Sequence, residues 1–471
     1  MSVQLGLLIG YSAALIAVGL WIGRRVGSAH QFFVAGRQLG PLLLFATILA
    51  ANIGAGTTMG AASLGYRDGL SAWWWVGSAG LGTLLMGCSI GPKIWRQARE
   101  HDLRTVGDYL EWRYGPTVRG VTAALLWVAT LTALSAQLVA VAFVLNVVAG
   151  VPATVGCVLG GVVVTAYFAA GGLVTSAWVN LVQLVVLLVG FALALPVALG
   201  NAGGWQSIVD AAPVDNPDFF SWTQGGASGW HYMALLIPPF MVSPGLLQKV
   251  YGARSERTVR IGVGASAVGL LLFAAIPPML GMMARVYDPT LTGNAINMAL
   301  PVILTVGLPL AIGTLGLAAV FSAEVSSADA VLFMLSTSLS EDLYRRFLAP
   351  NAGERQVLKM ARLGAIAGGA LATLLAIALG SVIESITIFY SLLSMSLFVP
   401  VVGGVYWARA GSRDAIAAIV AGVGVFVVTR YLVYIPTTGL WNPNLVGLLA
   451  SAVAFAVSGW LTSDRRPIVA I

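Results

Sequence analysis

Residues 320–344, VFSAEVSSADAVLFMLSTSLSEDLY, set two carboxylates and a run of hydroxyls into an otherwise apolar segment. Between Pro289 and Ser340 the only charged residues are Glu324 and Asp329, and the apolar positions recur at helical spacing. An ionisable group at membrane depth costs about 2.5–3.5 kcal/mol on insertion scales, so it marks a site. Ala323, Ser326 and Ser327 stand at i, i+3 and i+4 and share one helix stripe. Hard cations take oxygen ligands, and a site in mid-membrane can be built from hydroxyls and freed carbonyls without a full charge. A lone serine in such a helix ordinarily bonds back to the i−4 carbonyl or packs small against a neighbour. The cluster, with an acid about 60° to either side of the stripe, points instead to an ion pathway.

The elements that would hold this stripe follow from composition. Of 471 residues, 58% are hydrophobic and 9% charged, against the roughly 25% charged content of soluble domains. Mean hydropathy is +0.89. The chain is an all-α polytopic membrane protein. Cys88 and Cys157 lie in apolar runs and His30, His101 and His231 are scattered, so neither a disulfide framework nor a zinc site can be assembled. The net charge of +7 comes from short loops between apolar runs and not from a basic patch interleaved with aromatics, which excludes a nucleic-acid partner in favour of the positive-inside rule.

Residues 3–22 read as an uncleaved first helix, lacking the basic start and cleavage site of a signal peptide. Further spans are expected at about 42–65, 70–90, 121–148, 153–170, 173–199, 231–250, 261–283, 308–339, 363–379, 383–407, 416–432 and 445–461, about 13 in all. With the first span running outside to inside, all but three of the 25 Lys and Arg residues (Arg67, Arg285 and Arg430) fall in cytoplasmic loops. That places the N-terminus outside and the C-terminus in the cytoplasm. The largest inner loop, 93–119, has helical patterning in its second half. The largest outer loop, 201–230, is either a lid or a plain connector.

Two spans are interrupted. One carries Asn52-Ile53-Gly54-Ala55-Gly56-Thr57-Thr58, and the other Pro238-Pro239 followed by Ser243-Pro244-Gly245. Broken helices at membrane depth are tolerated where the freed backbone is buried or lines a cavity. The breaks lie five spans apart, an odd offset that reverses orientation, as an inverted repeat requires.

These motifs together resemble the sodium/solute symporter family, which includes the sodium-coupled glucose, proline and sialic acid carriers, over nearly the whole chain. Leu49-Ala50-Ala51-Asn52-Ile53-Gly54 looks like its first core helix. Ala323, Ser326 and Ser327 match its small residue and hydroxyl pair, with the register checked by Glu341-Asp342-Leu343-Tyr344. Gly171-Gly172-Leu173, residues 248–260 (QKVYGARSERTVR) and residues 397–407 (LFVPVVGGVYW) match further landmarks. The resemblance implies a leucine-transporter-type fold: an extra N-terminal helix (1–24), two inverted five-helix repeats (40–200 and 228–407) and two C-terminal helices (413–462). It implies a single transport domain in the cell membrane that moves a small organic solute with sodium by alternating access, as a monomer or weak oligomer in the bilayer. The sodium ligands it implies are Ala50, Ile53, Ala323, Ser326 and Ser327. The solute contacts it implies are Asn52, Thr57, Thr58, Trp74, Gln137, Pro239, Ser243, and Tyr390 or Ser394. Trp73-Trp74-Trp75 also fits an interfacial aromatic anchor. Where sugar carriers of the family have a glutamine, this chain has Leu392 and Leu393, which disfavours a sugar.

One departure concerns the ion. Members that use two sodium ions often have an aspartate where Trp178-Val179-Asn180-Leu181-Val182-Gln183 places Asn180. The expectation is one sodium per solute, unless Glu324 or Asp329 supplies the missing charge at a second cation or proton site. Proton coupling through Glu324 or Asp329 is the nearest alternative. No Ser/His or paired-acid arrangement supports an enzyme, and nothing resembles a selectivity filter. The tail after Leu461 leaves no room for the output domain of a sensor.

Overall fold

The computed structural model describes residues 35–168 and 172–461 and seven positions between 6 and 18. Most of the expected first span and Gly171 of the glycine landmark lie outside the described residues.

Among the described residues the secondary structure is helical except for one short hairpin and an isolated bridge. The elements around the site are α1 (Pro41–Asn52), α2 (Ala61–Asp68), α3 (Trp73–Leu85), α4 (Val106–Tyr114), α5 (Pro116–Ala149) and α6 (Gly172–Asn201). They are followed by α7 (Tyr232–Val242), α8 (Pro244–Tyr251), α9 (Ile276–Tyr287), α10 (Leu310–Thr337) and α11 (Val382–Leu393). Every residue of α10 from Ala319 onward is buried, because α1, α5, α6 and α8 pack around it. Tyr11, in the first span, reaches it with a 2.6 Å hydrogen bond to Ser322.

Both expected interruptions are present. α1 starts with Pro41 at its first position, where the missing N–H is no loss. It ends when Ile53 turns extended (φ −100°, ψ 102°), and the chain re-enters helix at Gly56 with its axis bent by 61°. The second break falls at Ser243 (φ −51°, ψ 125°). Pro238 and Pro239 lie inside α7, and Pro244 begins α8. Just before α1 and just after α8 the chain pairs with itself, Leu39 donating to the Gly252 carbonyl (2.9 Å) and receiving from Arg254 N–H (3.1 Å).

Among the described residues nine helices are long and apolar enough to cross a membrane, or ten with the bent pair counted as one span. The difference from about 13 has local causes. Gly69 leaves the helix (φ 79°, ψ −142°) and a 3-10 turn, Gly69–Ala72, joins α2 to α3 without a longer loop, so the expected spans 42–65 and 70–90 are run together in the bent pair. Ala153–Phe168 is an apolar helix of only 16 residues. The inner loop does fold as helix, Gly91–Glu100 and α4. Arg113 of α4, 1% exposed, donates to the carbonyls of Gly404, Trp407, Ala408 and Ala410 at 2.7–3.1 Å. It thereby caps a helix C-terminus with charge.

The outer loop is docked. Its hairpin, β1 (Gln224–Gly225) with β2 (Ser228–Gly229), is held by Asp68, which accepts from Ser228 Oγ at 2.6 Å and Ala227 N–H at 3.3 Å. Trp74 Nε1–H donates to the Trp222 carbonyl at 2.8 Å. Gly69 sits at φ +79°, where a Cβ would lie 1.8 Å from the Phe219 carbonyl oxygen. Gly69→Ala is expected to destabilise the protein by at least the ~1–3 kcal/mol of a forced left-handed residue, read as a lower melting temperature of the purified protein. An unchanged melt would show that the loop yields freely.

Candidate functional site

The carbonyls at the C-terminal end of α1 have no helical partners once Ile53 turns extended, and this end of a helix carries partial negative charge. They face the α10 stripe. Ser326 Oγ donates to the carbonyls of Ala50 (3.0 Å) and Ala323 (3.0 Å), and Ser327 Oγ to those of Ile53 (3.0 Å) and Ala51 (3.2 Å). Ser326 is fully buried and Ser327 is 4% exposed. Oxygens this close can be neighbours in one coordination shell, since a shared ion about 2.4 Å from each would see them roughly 75–80° apart. The five residues expected to hold a cation are thus brought together around the first break, and their neutral oxygens fit a monovalent hard cation.

A cavity of about 60 Å³ adjoins the stripe, with Ser327 in its wall. Asn52, Thr57, Gln137, Pro239, Ser243 and Tyr390 also line it, as expected. Thr58, Trp74 and Ser394 do not. Thr58 Oγ turns to the Glu324 carboxylate (2.8 Å), Trp74 belongs to the docked outer loop, and Ser394 Oγ bonds back to the Tyr390 carbonyl (2.8 Å). Residues passed over in the sequence complete the site. Trp75, 2% exposed, donates from Nε1 to the Gly56 carbonyl at 2.8 Å and lies edge-on to Tyr390 at 6.5 Å. Phe240 and Phe389 each stand 5.2 Å from the Tyr390 ring. Gly54 lets α10 approach, because a Cβ there would meet Ser327 Oγ at 2.2 Å.

The other groups expected near the ion lie around the stripe. Asn180 is buried on α6 and donates to Thr47 Oγ at 3.3 Å, one turn before Ala50. Gln183, a turn further along α6 and 1% exposed, has no hydrogen-bond partner on either amide atom among the described residues. Glu324 is fully buried, with Thr58 on one oxygen and, among the described residues, no ion-pair partner. Asp329 faces the buried Lys249 of α8 electrostatically.

Access is lopsided. Toward the Arg67 and Arg430 face the protein encloses a polar cavity of about 500 Å³ with Trp75 in its wall. Toward the Arg119 face a cavity of about 20 Å³ lies between Phe389, Met334 and Asp342. That end is tied by Arg119, paired with Asp342 (2.7 Å), Glu111 (2.8 Å) and Asp108 (2.9 Å). Thr105 adds a hydroxyl bond to Asp342 at 2.8 Å.

Residues 32–422 match the model of the sodium:solute symporter family. The chain is 26% identical to the sodium/iodide cotransporter of Homo sapiens over 86% of its own length and 66% of that protein's. It is 26% identical to the sodium/pantothenate symporter of Escherichia coli (strain K12), covering 96% and 95%. Against the sodium/glucose cotransporter of Vibrio parahaemolyticus it is 24% identical, covering 88% and 82%. Its fold resembles the substrate-bound outward-open state of a Na+-coupled sialic acid symporter, with a TM-score of 0.83 and 19% identity over 99% of both chains. A nucleobase-cation-symport-1 family transporter in a closed conformation gives a TM-score of 0.61 at 14% identity, covering 93% and 96%.

Proposed function

Because the chain belongs to the sodium:solute symporter family, we propose that it couples a small organic solute to sodium by alternating access. Sodium sits among the oxygens of Ala50, Ile53, Ala323, Ser326 and Ser327, and the solute occupies the adjoining cavity. The observation that carries this reading is the meeting of the Ser326 and Ser327 hydroxyls with the freed Ala50 and Ile53 carbonyls, at 3.0 Å in both cases, beside a cavity that Ser327 also lines. Two flexible joints, at Ile53–Ala55 and Ser243, let half-helices tilt while the stripe stays on a rigid α10. On this reading the Arg67 face is outside, the Arg119 face cytoplasmic, the N-terminus outside and the C-terminus in the cytoplasm. Residues 40–200 and 228–407 are the two repeats.

The test is uptake into proteoliposomes under imposed gradients, after a ligand screen by thermal shift with and without sodium, since a bound solute stabilises by RT ln(1 + [L]/Kd). Sodium-driven accumulation and saturable counterflow are expected. Accumulation that persists when N-methyl-glucamine replaces sodium at fixed pH would favour the second reading, proton coupling. That reading rests on the buried carboxylate of Glu324, which has no ion-pair partner among the described residues.

The expected coupling ratio is one sodium per solute. Asn180 keeps an amide oxygen near the stripe but no charge, and Asp329 is already faced by Lys249. A second cation held close to the first at low dielectric needs a compensating charge. The sodium gradient that just reverses solute flux measures the ratio, and a value of two would refute it.

A further inference from the structure

The cavity beside the stripe differs in character from its surroundings: among the described residues no ionisable side chain other than the Tyr390 phenol lines it. Its unpartnered side-chain groups include an amide donor and two hydroxyls that can donate. Gln137 Oε1 accepts from Ala55 N–H at 2.9 Å, which fixes the amide orientation and leaves its Nε2 hydrogens without a partner among the described residues. The Ser243 hydroxyl and the Tyr390 phenol likewise have no hydrogen-bond partner there. Asn52 donates to Thr83 Oγ at 3.2 Å, so its Oδ1 remains as an acceptor. Ser243 also stands at the start of α8, where the positive end of a half-helix favours negative charge.

The charge balance has the same sign. A sodium ion at Ser327 puts one positive charge in the cavity wall. No carboxylate reaches that wall, because Glu324 is turned to Thr58 and Asp329 faces Lys249. A cationic solute would meet a like charge with no carboxylate in the wall to offset it, while an anionic one would meet available donors and an opposite charge in a poorly screened space. We propose that the solute is a small monocarboxylate, its carboxylate toward Ser327, Gln137 and Ser243 and its apolar body against Phe240 and Phe389. This rests on the sodium-coupled reading and extends it to the chemical class of the cargo.

The test uses matched probes that differ in charge at constant shape: butyrate, butyramide and butylammonium; lactate, lactamide and 2-hydroxypropylammonium; benzoate, benzamide and benzylammonium. Thermal shift of the purified full-length protein is read in sodium chloride and in potassium chloride. In at least one set the carboxylate is expected to bind in sodium about 100-fold or more tightly than its ammonium partner. Gln137→Leu and Ser243→Ala should each weaken that binding about tenfold, Ser243→Ala without changing the stabilisation given by sodium alone. Preference for an amide or ammonium, no response to any carboxylate, or carboxylate binding undiminished in both variants overturns the proposal. If carboxylates bind equally in potassium, the solute class stands and the sodium-coupled reading fails. If sodium alone stabilises and only amides or ammoniums respond, the class fails and the coupling stands.

Discussion

Ser327→Ala is expected to raise the sodium concentration for half-maximal uptake about 10- to 100-fold, and Ser326→Ala by a similar factor. A hydroxyl directed at a charged partner contributes roughly 1.5–3 kcal/mol, or one to two powers of ten in affinity. Ser326 has the same two-carbonyl geometry as Ser327, with partners at 3.0 Å, and is fully buried. Neither substitution removes much apolar packing, so expression and melting without sodium should change little. Ser327→Thr keeps the oxygen and should recover most of the affinity, which separates a ligand from a packing residue. Unchanged sodium dependence in the Ser327→Ala protein would remove the stripe from the ion site.

The stripe was legible because a spacing of i, i+3, i+4 has one structural meaning, and because two glycines after Asn52 announce a break whose carbonyls need partners. The matching of Ser326 to Ala50 and Ser327 to Ile53 was not contained in that spacing; it depends on the depth at which α1 crosses α10. The cavity was legible only in part. Three consecutive tryptophans point in directions about 100° apart on a helix, and no local rule says which faces inward. The family resemblance offers Trp74 as a solute contact beside the interfacial-anchor reading of all three, yet Trp75 is the one bonded to Gly56, while Trp74 is taken by the outer loop. The prolines are legible in part. Helix runs through Pro238 and Pro239, while the break sits within Ser243-Pro244-Gly245, at Ser243, where the following proline can serve as the first residue of a new helix. Lys249 read as part of a landmark; its burial against Asp329 is a tertiary fact that brings α8 to α10.

Gly54→Ala should abolish transport while leaving a folded protein. A Cβ at Gly54 would lie 2.2 Å from Ser327 Oγ, 2.5 Å from Ser327 Cβ and 3.0 Å from Gln137 Oε1. The Ser327 hydroxyl can rotate away, but its Cβ is fixed to the backbone of α10, so the break and α10 must separate. Such a shift pulls Ile53 from Ser327 and Ala55 from Gln137 together, disturbing the ion oxygens and the solute cavity in one step. Both sodium and solute affinity should fall by about 100-fold or more, as two charge-linked or buried hydrogen bonds are lost at once. The control is Gly56→Ala, two residues on, where a Cβ meets nothing closer than Ile386 Cγ1 at 3.4 Å and transport should persist. Combining Gly54→Ala with Ser327→Gly removes both close contacts with Ser327. That protein should regain solute binding but keep the poor sodium affinity expected of Ser327→Ala. A double variant that recovers full sodium affinity would mean the ion does not use Ser327, and one that recovers neither would mean Gly54 serves the break itself and not the approach of α10.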